Sequence, residues 1–254
     1  MIVLMKRFSI VAVAMVALIS CRPEQQSQSI TIGAAANLTE VFQQVGQAFE
    51  KQSGIHPVFS FASTAQLAQQ IENAAPFDVF AAADSEHVAA LEQKGLLAPG
   101  SRAIYARGVL ALWIPDPAKC PVSRIEDLTK VSVRVIAIAK PELAPYGQAS
   151  VDSLRRLDLW ERVQPKVVYA ENIGMAKQYG MSKNADAVFT AYSLVLHERG
   201  KTMMVDESLH QPINQELGIL AKSARQDAAN KFVAFLLAGE GKQILASYGY
   251  QFAK

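Results

Sequence analysis

Two cysteines in 254 residues, Cys21 and Cys120, are too few for a disulfide-stapled scaffold, so stability has to come from buried apolar surface. Charge of one sign is also lacking: 25 Lys and Arg face 23 Asp and Glu. A chain without a basic surplus does not read as a nucleic-acid binder. The longest apolar run, Phe8 to Ile19, is about 12 residues and falls short of the ~20 that span a bilayer. His56, His87, His197 and His210 are scattered and match no metal-ligand spacing. There is no Gly-x-Ser-x-Gly elbow and no nucleophile–base set. Gly239-Glu240-Gly241-Lys242 lacks the spacing of a phosphate loop and reads as a turn between two terminal helices. These absences speak against an enzyme and against an expected cofactor.

The first 20 residues read as a targeting segment. Lys6 and Arg7 form a basic start, and the apolar run ends in Leu18-Ile19-Ser20-Cys21. That ending resembles a bacterial lipoprotein box, which implies cleavage and lipidation at Cys21. An ordinary secretory signal with an incidental Cys is the alternative. Residues 21–29 read as a polar tether. Removing Lys6 and Arg7 leaves 23 basic against 23 acidic residues, a mature chain of no net charge.

Short apolar strands then alternate with amphipathic helices, the pattern of an α/β protein with mainly parallel sheets. The first helix places Leu38, Val41, Phe42, Val45 and Phe49 on one face and stops at Gly54. Further strands are expected at Phe77–Ala82, Val109–Pro115, Val133–Ala139, Val167–Tyr169 and Ala185–Thr190. Asp84 is a plausible cap for a helix over 85–94 that Gly95 ends. Asp78, an acid in an apolar strand, needs hydrogen-bond partners and reads as structural. Cys120 reads as a free loop thiol.

Two strand-to-helix turns stand out: Ile30-Thr31-Ile32-Gly33-Ala34-Ala35-Ala36-Asn37, and Val58-Phe59-Ser60-Phe61-Ala62-Ser63-Thr64. A helix start has unpaired N–H groups and a partial positive charge, so two converging starts suit an anion. Taken alone, Asn37 also fits a helix cap paired with Glu40, and Thr64 an ordinary cap.

With Ala75-Pro-Phe-Asp78-Val-Phe-Ala-Ala-Ala-Asp84, Pro141 to Gly147, Glu171-Asn172-Ile173 and Gly249-Tyr-Gln-Phe252, these turns form an ordered set. The set resembles the molybdate/tungstate-binding proteins of bacterial ABC importers. The resemblance implies a two-lobed periplasmic-binding-protein fold of type II, each lobe a mostly parallel sheet flanked by helices, with two hinge crossings. It divides the chain into a lobe of residues 30–107 plus 214–254 and a lobe of residues 108–213. It implies oxyanion contacts at Asn37, Thr64, Tyr146 and Ile173, with Thr190 and Tyr192 as two further candidates. Asn37 stands where most members have Ser. Glu40 is expected to point away from the cleft.

The implied ligand is molybdate or tungstate, a tetrahedral dianion without a proton. A cleft lined only with donors suits such an ion, while protonated phosphate would leave its O–H unpaired, at a cost of about 1–3 kcal/mol. Sulfate has the same charge and no proton, so another small oxyanion such as sulfate or thiosulfate remains the alternative ligand. A sensing module for a membrane signalling protein is the alternative role. The implied partners are an ABC permease and a membrane reached through the Cys21 lipid, with a monomeric protein on the extracytoplasmic or periplasmic side.

Overall fold

The computed structural model describes residues 29–252; the targeting segment, Cys21 and nearly all of the tether lie outside the described residues. The first half of the chain runs β1 (Ser29–Ala35), α1 (Thr39–Ser53), β2 (His56–Ala62), α2 (Thr64–Glu72), β3 (Val79–Ala81), α3 (Glu86–Gln93), β4 (Ala103–Gly108), β5 (Leu110–Ile114) and β6 (Ile136–Ala139). It continues through α4 (Pro145–Arg156), α5 (Trp160–Val163), β7 (Val167–Ala170), α6 (Ile173–Met181), β8 (Ala187–Ala191), α7 (Tyr192–Val195), β9 (Lys201–Met204), β10 (Ile213–Ile219), α8 (Gln226–Leu237) and α9 (Gly239–Ser247).

Two five-stranded sheets result, ordered β2-β1-β3-β10-β4 and β7-β6-β8-β5-β9. Both are mixed. In the first, β1 pairs parallel with β2 and β3, while β10 runs antiparallel to β3 and β4. In the second, β6 pairs parallel with β7 and β8, and β5 runs antiparallel to β8 and β9. The antiparallel strands are those next to the crossings. The chain leaves the first sheet from β4 into β5 with only Val109 between them, and returns between β9 and β10. A strand that crosses from one lobe to the other enters the new sheet without a crossover helix, so no parallel pairing is imposed on it.

Each lobe has its own core. In the first, the apolar stripe of α1 buries Val41, Phe42, Val45 and Phe49, as its spacing predicts. Phe232 of α8 packs edge-on against Phe42 and Phe49, with ring centres 6.0 and 5.2 Å away. Gly54 ends α1 at φ 70°, and its N–H donates to Glu50 O. In the second lobe Leu112, Ile138, Leu154 and Phe189 are fully buried together. Asp78 is structural: Thr31 N–H donates to its Oδ2 at 2.7 Å and Ser223 Oγ to its Oδ1 at 2.6 Å.

Candidate functional site

Four chain segments that begin helices converge where the lobes meet. A small cavity there is lined by Asn37, Ser63, Thr64, Tyr146, Ile173, Pro145 and the alanines 35, 36, 83 and 144. The lining holds no carboxylate, imidazole, ammonium or guanidinium group. The alanines bring backbone close to whatever sits inside. The cavity volume is ≈ 10 Å³, about the space of one water-sized probe, so these groups stand closed on one another.

Asn37, Thr64, Tyr146 and Ile173, the four residues expected to contact the anion, are thus brought together. Each stands in the first turn of a helix: Asn37 in a short 3-10 turn (Ala36–Leu38) that leads into α1, the others at the starts of α2, α4 and α6. A first-turn N–H has no acceptor within its own helix. Among the described residues, none of these four N–H groups finds a partner elsewhere in the protein.

The side chains differ from their simplest reading. Thr64 does not cap α2. Ser63 does, accepting from Gln66 N–H while Gln66 Oε1 accepts from Ser63 N–H. Thr64 Oγ1 accepts from Ala83 N–H at 3.1 Å, which leaves its own proton to donate. Asn37 caps nothing either. Its Nδ2 lies 3.0 Å from Gln215 Oε1 and 2.9 Å from Tyr250 Oη, and its Oδ1 is buried without a partner. The Tyr146 hydroxyl lies 2.8 Å from Gln215 Nε2, and burial holds this phenol well above its ordinary pKa, so it stays protonated.

Thr190 and Tyr192, the two further candidates, are not among the residues that line this cavity. Thr190 falls on the same side of β8 as Val188, the side that packs with Trp113 and Ala176. Its hydroxyl is fully buried there and finds no partner. Tyr192 gives its N–H to Val109 O at 2.9 Å, and its ring lies against Gly249.

The lobes touch directly around the cavity. Ala65 N–H of α2 donates to Leu143 O at 3.2 Å. Glu40 points away from the cavity to Lys177 of α6, which also meets Glu198 at 2.7 Å. Burial pulls the Lys177 pKa down, and the two carboxylates outweigh it and hold it above the ordinary lysine value. A wider groove of ≈ 610 Å³ lies alongside, with Asp84, Glu86, His87, Glu142 and Asp152 on its walls. Asp84 accepts from the N–H of His87, the second residue of α3, while Ser85 stands at the cap position itself and makes no capping bond.

Gln215, Tyr105, Tyr250 and Ser193, which support Asn37 and Tyr146, were not identified from sequence. Two of them carry a signal: Gln215 is a neutral polar residue in the buried strand β10, and Tyr250 lies in the Gly249–Phe252 segment of the ordered set.

The chain is similar to known proteins over most of its length. Residues 30–251 match the family described as bacterial extracellular solute-binding protein. The chain is 34% identical over 225 residues to the molybdate-binding protein ModA of Rhodobacter capsulatus, covering 87% of each chain. It is 34% identical over 233 residues to the molybdate-binding protein ModA of Azotobacter vinelandii, covering 89% of this chain and 90% of that one. The structure of the Azotobacter vinelandii periplasmic molybdate-binding protein superimposes with a TM-score of 0.85 at 29% identity, over 89% of this chain and 100% of that chain. The chain belongs to the bacterial extracellular solute-binding proteins, together with these molybdate-binding relatives.

Proposed function

We propose that the protein captures molybdate between its lobes and delivers it to the permease of an ABC importer. The observation that carries this reading is the cavity lined by uncharged groups, into whose wall four helix starts bring unpaired N–H donors. Helix starts favour negative charge. Charge-assisted hydrogen bonds of about 1.5–3 kcal/mol each offset the desolvation of a dianion. Asn37, Thr64, Tyr146 and Ile173 supply the backbone donors, and Thr64 adds its hydroxyl. The names of the relatives, at 34% identity across most of the chain, support molybdate as the ion. Tungstate shares its charge and tetrahedral shape and enters the same shell.

In this reading the protein is a monomeric carrier and no enzyme, and the ion is cargo. It works outside the cytoplasmic membrane, held there by a lipid on Cys21. Closure of the residue 30–107 plus 214–254 lobe on the residue 108–213 lobe completes the donor shell and forms the surface that the permease reads.

Thermal unfolding with molybdate, tungstate, sulfate and phosphate in turn tests the ligand. At about 1,000 times Kd, binding stabilises by about 4 kcal/mol, a rise in Tm of roughly 8–16 °C for a chain of this size. Molybdate and tungstate are expected to give that rise. A rise with sulfate alone would move the function to sulfate capture, and no rise with any of the four would remove the anion site.

A further inference from the structure

The amides of Asn37 and Gln215 admit two orientations on the same atom positions, because amide nitrogen and oxygen are nearly isosteric and are told apart by their partners. In one orientation Asn37 Nδ2 donates to Gln215 Oε1 and Tyr250 Oη, and Gln215 Nε2 donates to Tyr146 Oη. That arrangement has three faults. Asn37 Oδ1 is buried with no donor. The proton of Tyr146, a residue 1% exposed, has no acceptor, since the one polar side-chain atom at its Oη is itself a donor. Tyr105 Oη lies 2.9 Å from Ala82 O and 2.8 Å from Gln215 Oε1, two acceptors sharing one proton. Burial raises the pKa of Tyr105 and Tyr146 well above the ordinary value, so neither fault is relieved by ionisation.

Turning both amides over removes all three faults together. Gln215 Nε2 then donates to Tyr105 Oη and Asn37 Oδ1, Tyr105 gives its proton to Ala82 O, and Tyr146 gives its proton to Gln215 Oε1. Tyr250 Oη, which in the first orientation donates to Asn37 O at 3.0 Å, turns its proton to Asn37 Oδ1, and Ser193 Oγ donates to Asn37 O in its place at 3.3 Å. One group is left over: Asn37 Nδ2, an unpartnered donor on a side chain that lines the cavity. Buried polar groups are satisfied with few exceptions, and a leftover donor beside a cavity is what an anion completes.

We infer that Gln215 is a positioning residue that holds the Asn37 amide with Nδ2 toward the cavity, so that the shell selects oxyanions carrying no proton over those that carry one. The inference rests on the oxyanion reading of the cavity. The reverse orientation would present Oδ1, an acceptor that repels a bare dianion and welcomes an O–H. Gln215 also touches Tyr146 from the other lobe, so the amide is locked when the lobes meet.

Calorimetric titration of the protein with molybdate and with inorganic phosphate tests this, using Gln215→Met and Asn37→Asp. Met keeps the length of Gln and lacks both its donor and its acceptor. Gln215→Met is expected to weaken molybdate roughly tenfold and to narrow the molybdate-to-phosphate ratio by a similar factor, because the Asn37 amide is then free to turn. Asn37→Asp is expected to lose molybdate more than about a hundredfold while phosphate loses far less. A purely structural role for Gln215 would lower both affinities together, and an unchanged ratio would overturn the inference. If the parent protein binds molybdate and the ratio still does not move, only the inference falls; if the parent binds neither anion, the oxyanion reading falls and takes the inference with it. Should Gln215→Met not fold, neutron diffraction from crystals of the parent grown with molybdate decides. Deuterium on the Asn37 amide end facing the ion supports the assignment, and deuterium on the end facing Gln215 overturns it.

Discussion

Lys177 Nζ stands 2.5 Å from Glu40 Oε1, and the contact joins α6 of one lobe to the first turn of α1 in the other. Lys177 is almost buried while Glu40 keeps more than a third of its side chain in solvent. Glu198 holds the lysine from its own lobe, so removing Glu40 deletes the interlobe half and leaves Lys177 paired. Glu40→Gln is expected to weaken molybdate roughly three- to tenfold by favouring the open arrangement, with a smaller deficit at high salt. Affinity measured at two ionic strengths checks this, and small-angle scattering reads the accompanying opening.

Ile173 occupies the first position of α6, where proline is tolerated. Asn172 before it is extended, at φ −152° and ψ 172°, as a residue preceding proline must be. Ile173→Pro therefore deletes one backbone donor and little else of the helix. Molybdate affinity is expected to fall about tenfold or more, while Ile173→Ala, which keeps the N–H, falls much less. Equal affinities in the two variants would remove this donor from the shell.

Thr64→Ala deletes a hydroxyl that serves twice, toward the cavity and toward Ala83 N–H. The expected result is a loss of roughly tenfold or more in molybdate affinity together with a lower Tm in the absence of ligand. Thr64→Ser restores both. Titration and unfolding of the two variants side by side separate the contributions.

A methyl group on Gly108 would sit 2.0 Å from Tyr146 Oη and 2.5 Å from Gln215 Nε2. Gly108 ends β4 at the crossing between the lobes, and Gln215 beside it belongs to the lobe facing Tyr146, so the clash falls where the two lobes close together. Gly108→Ala is expected to cost affinity at least tenfold, while Tm without ligand changes by only a few degrees. A comparison of the two numbers distinguishes impaired closure from general misfolding.

The hydrogen bond to Asp84 raises the pKa of His87 above 6.5, outweighing the burial that lowers it. A raised folded pKa means that the stabilisation is fully present below pH 6.5 and is lost as pH rises through the raised value. His87→Asn is thus expected to lower Tm at about pH 5.5 and to match the parent at about pH 9. Melting curves across that range check the sign.

What could be read from the sequence was local. The stripe on α1, its stop at Gly54 and the strand-to-helix turns that end in Asn37 and Thr64 rest on spacing within a few residues. Two strands left no such signal. β4 follows a loop and carries charged Arg107, and β9 is the edge segment Lys-Thr-Met-Met, without alternation. Which face of β8 carries Thr190 was not legible either, because one residue along a strand exchanges the two faces of a sheet. The support of Asn37 was hidden for a different reason. Its partners Gln215 and Tyr250 are 178 and 213 residues away, and nothing in a periodicity or a cap records a contact of that separation.

That separation also sets a schedule. Asn37 is among the first described residues to leave the ribosome and Tyr250 among the last. A growing or truncated chain that has already completed both sheets still lacks the phenol behind Asn37. A fragment that ends before Tyr250 therefore lacks one of the groups that hold the Asn37 amide in place.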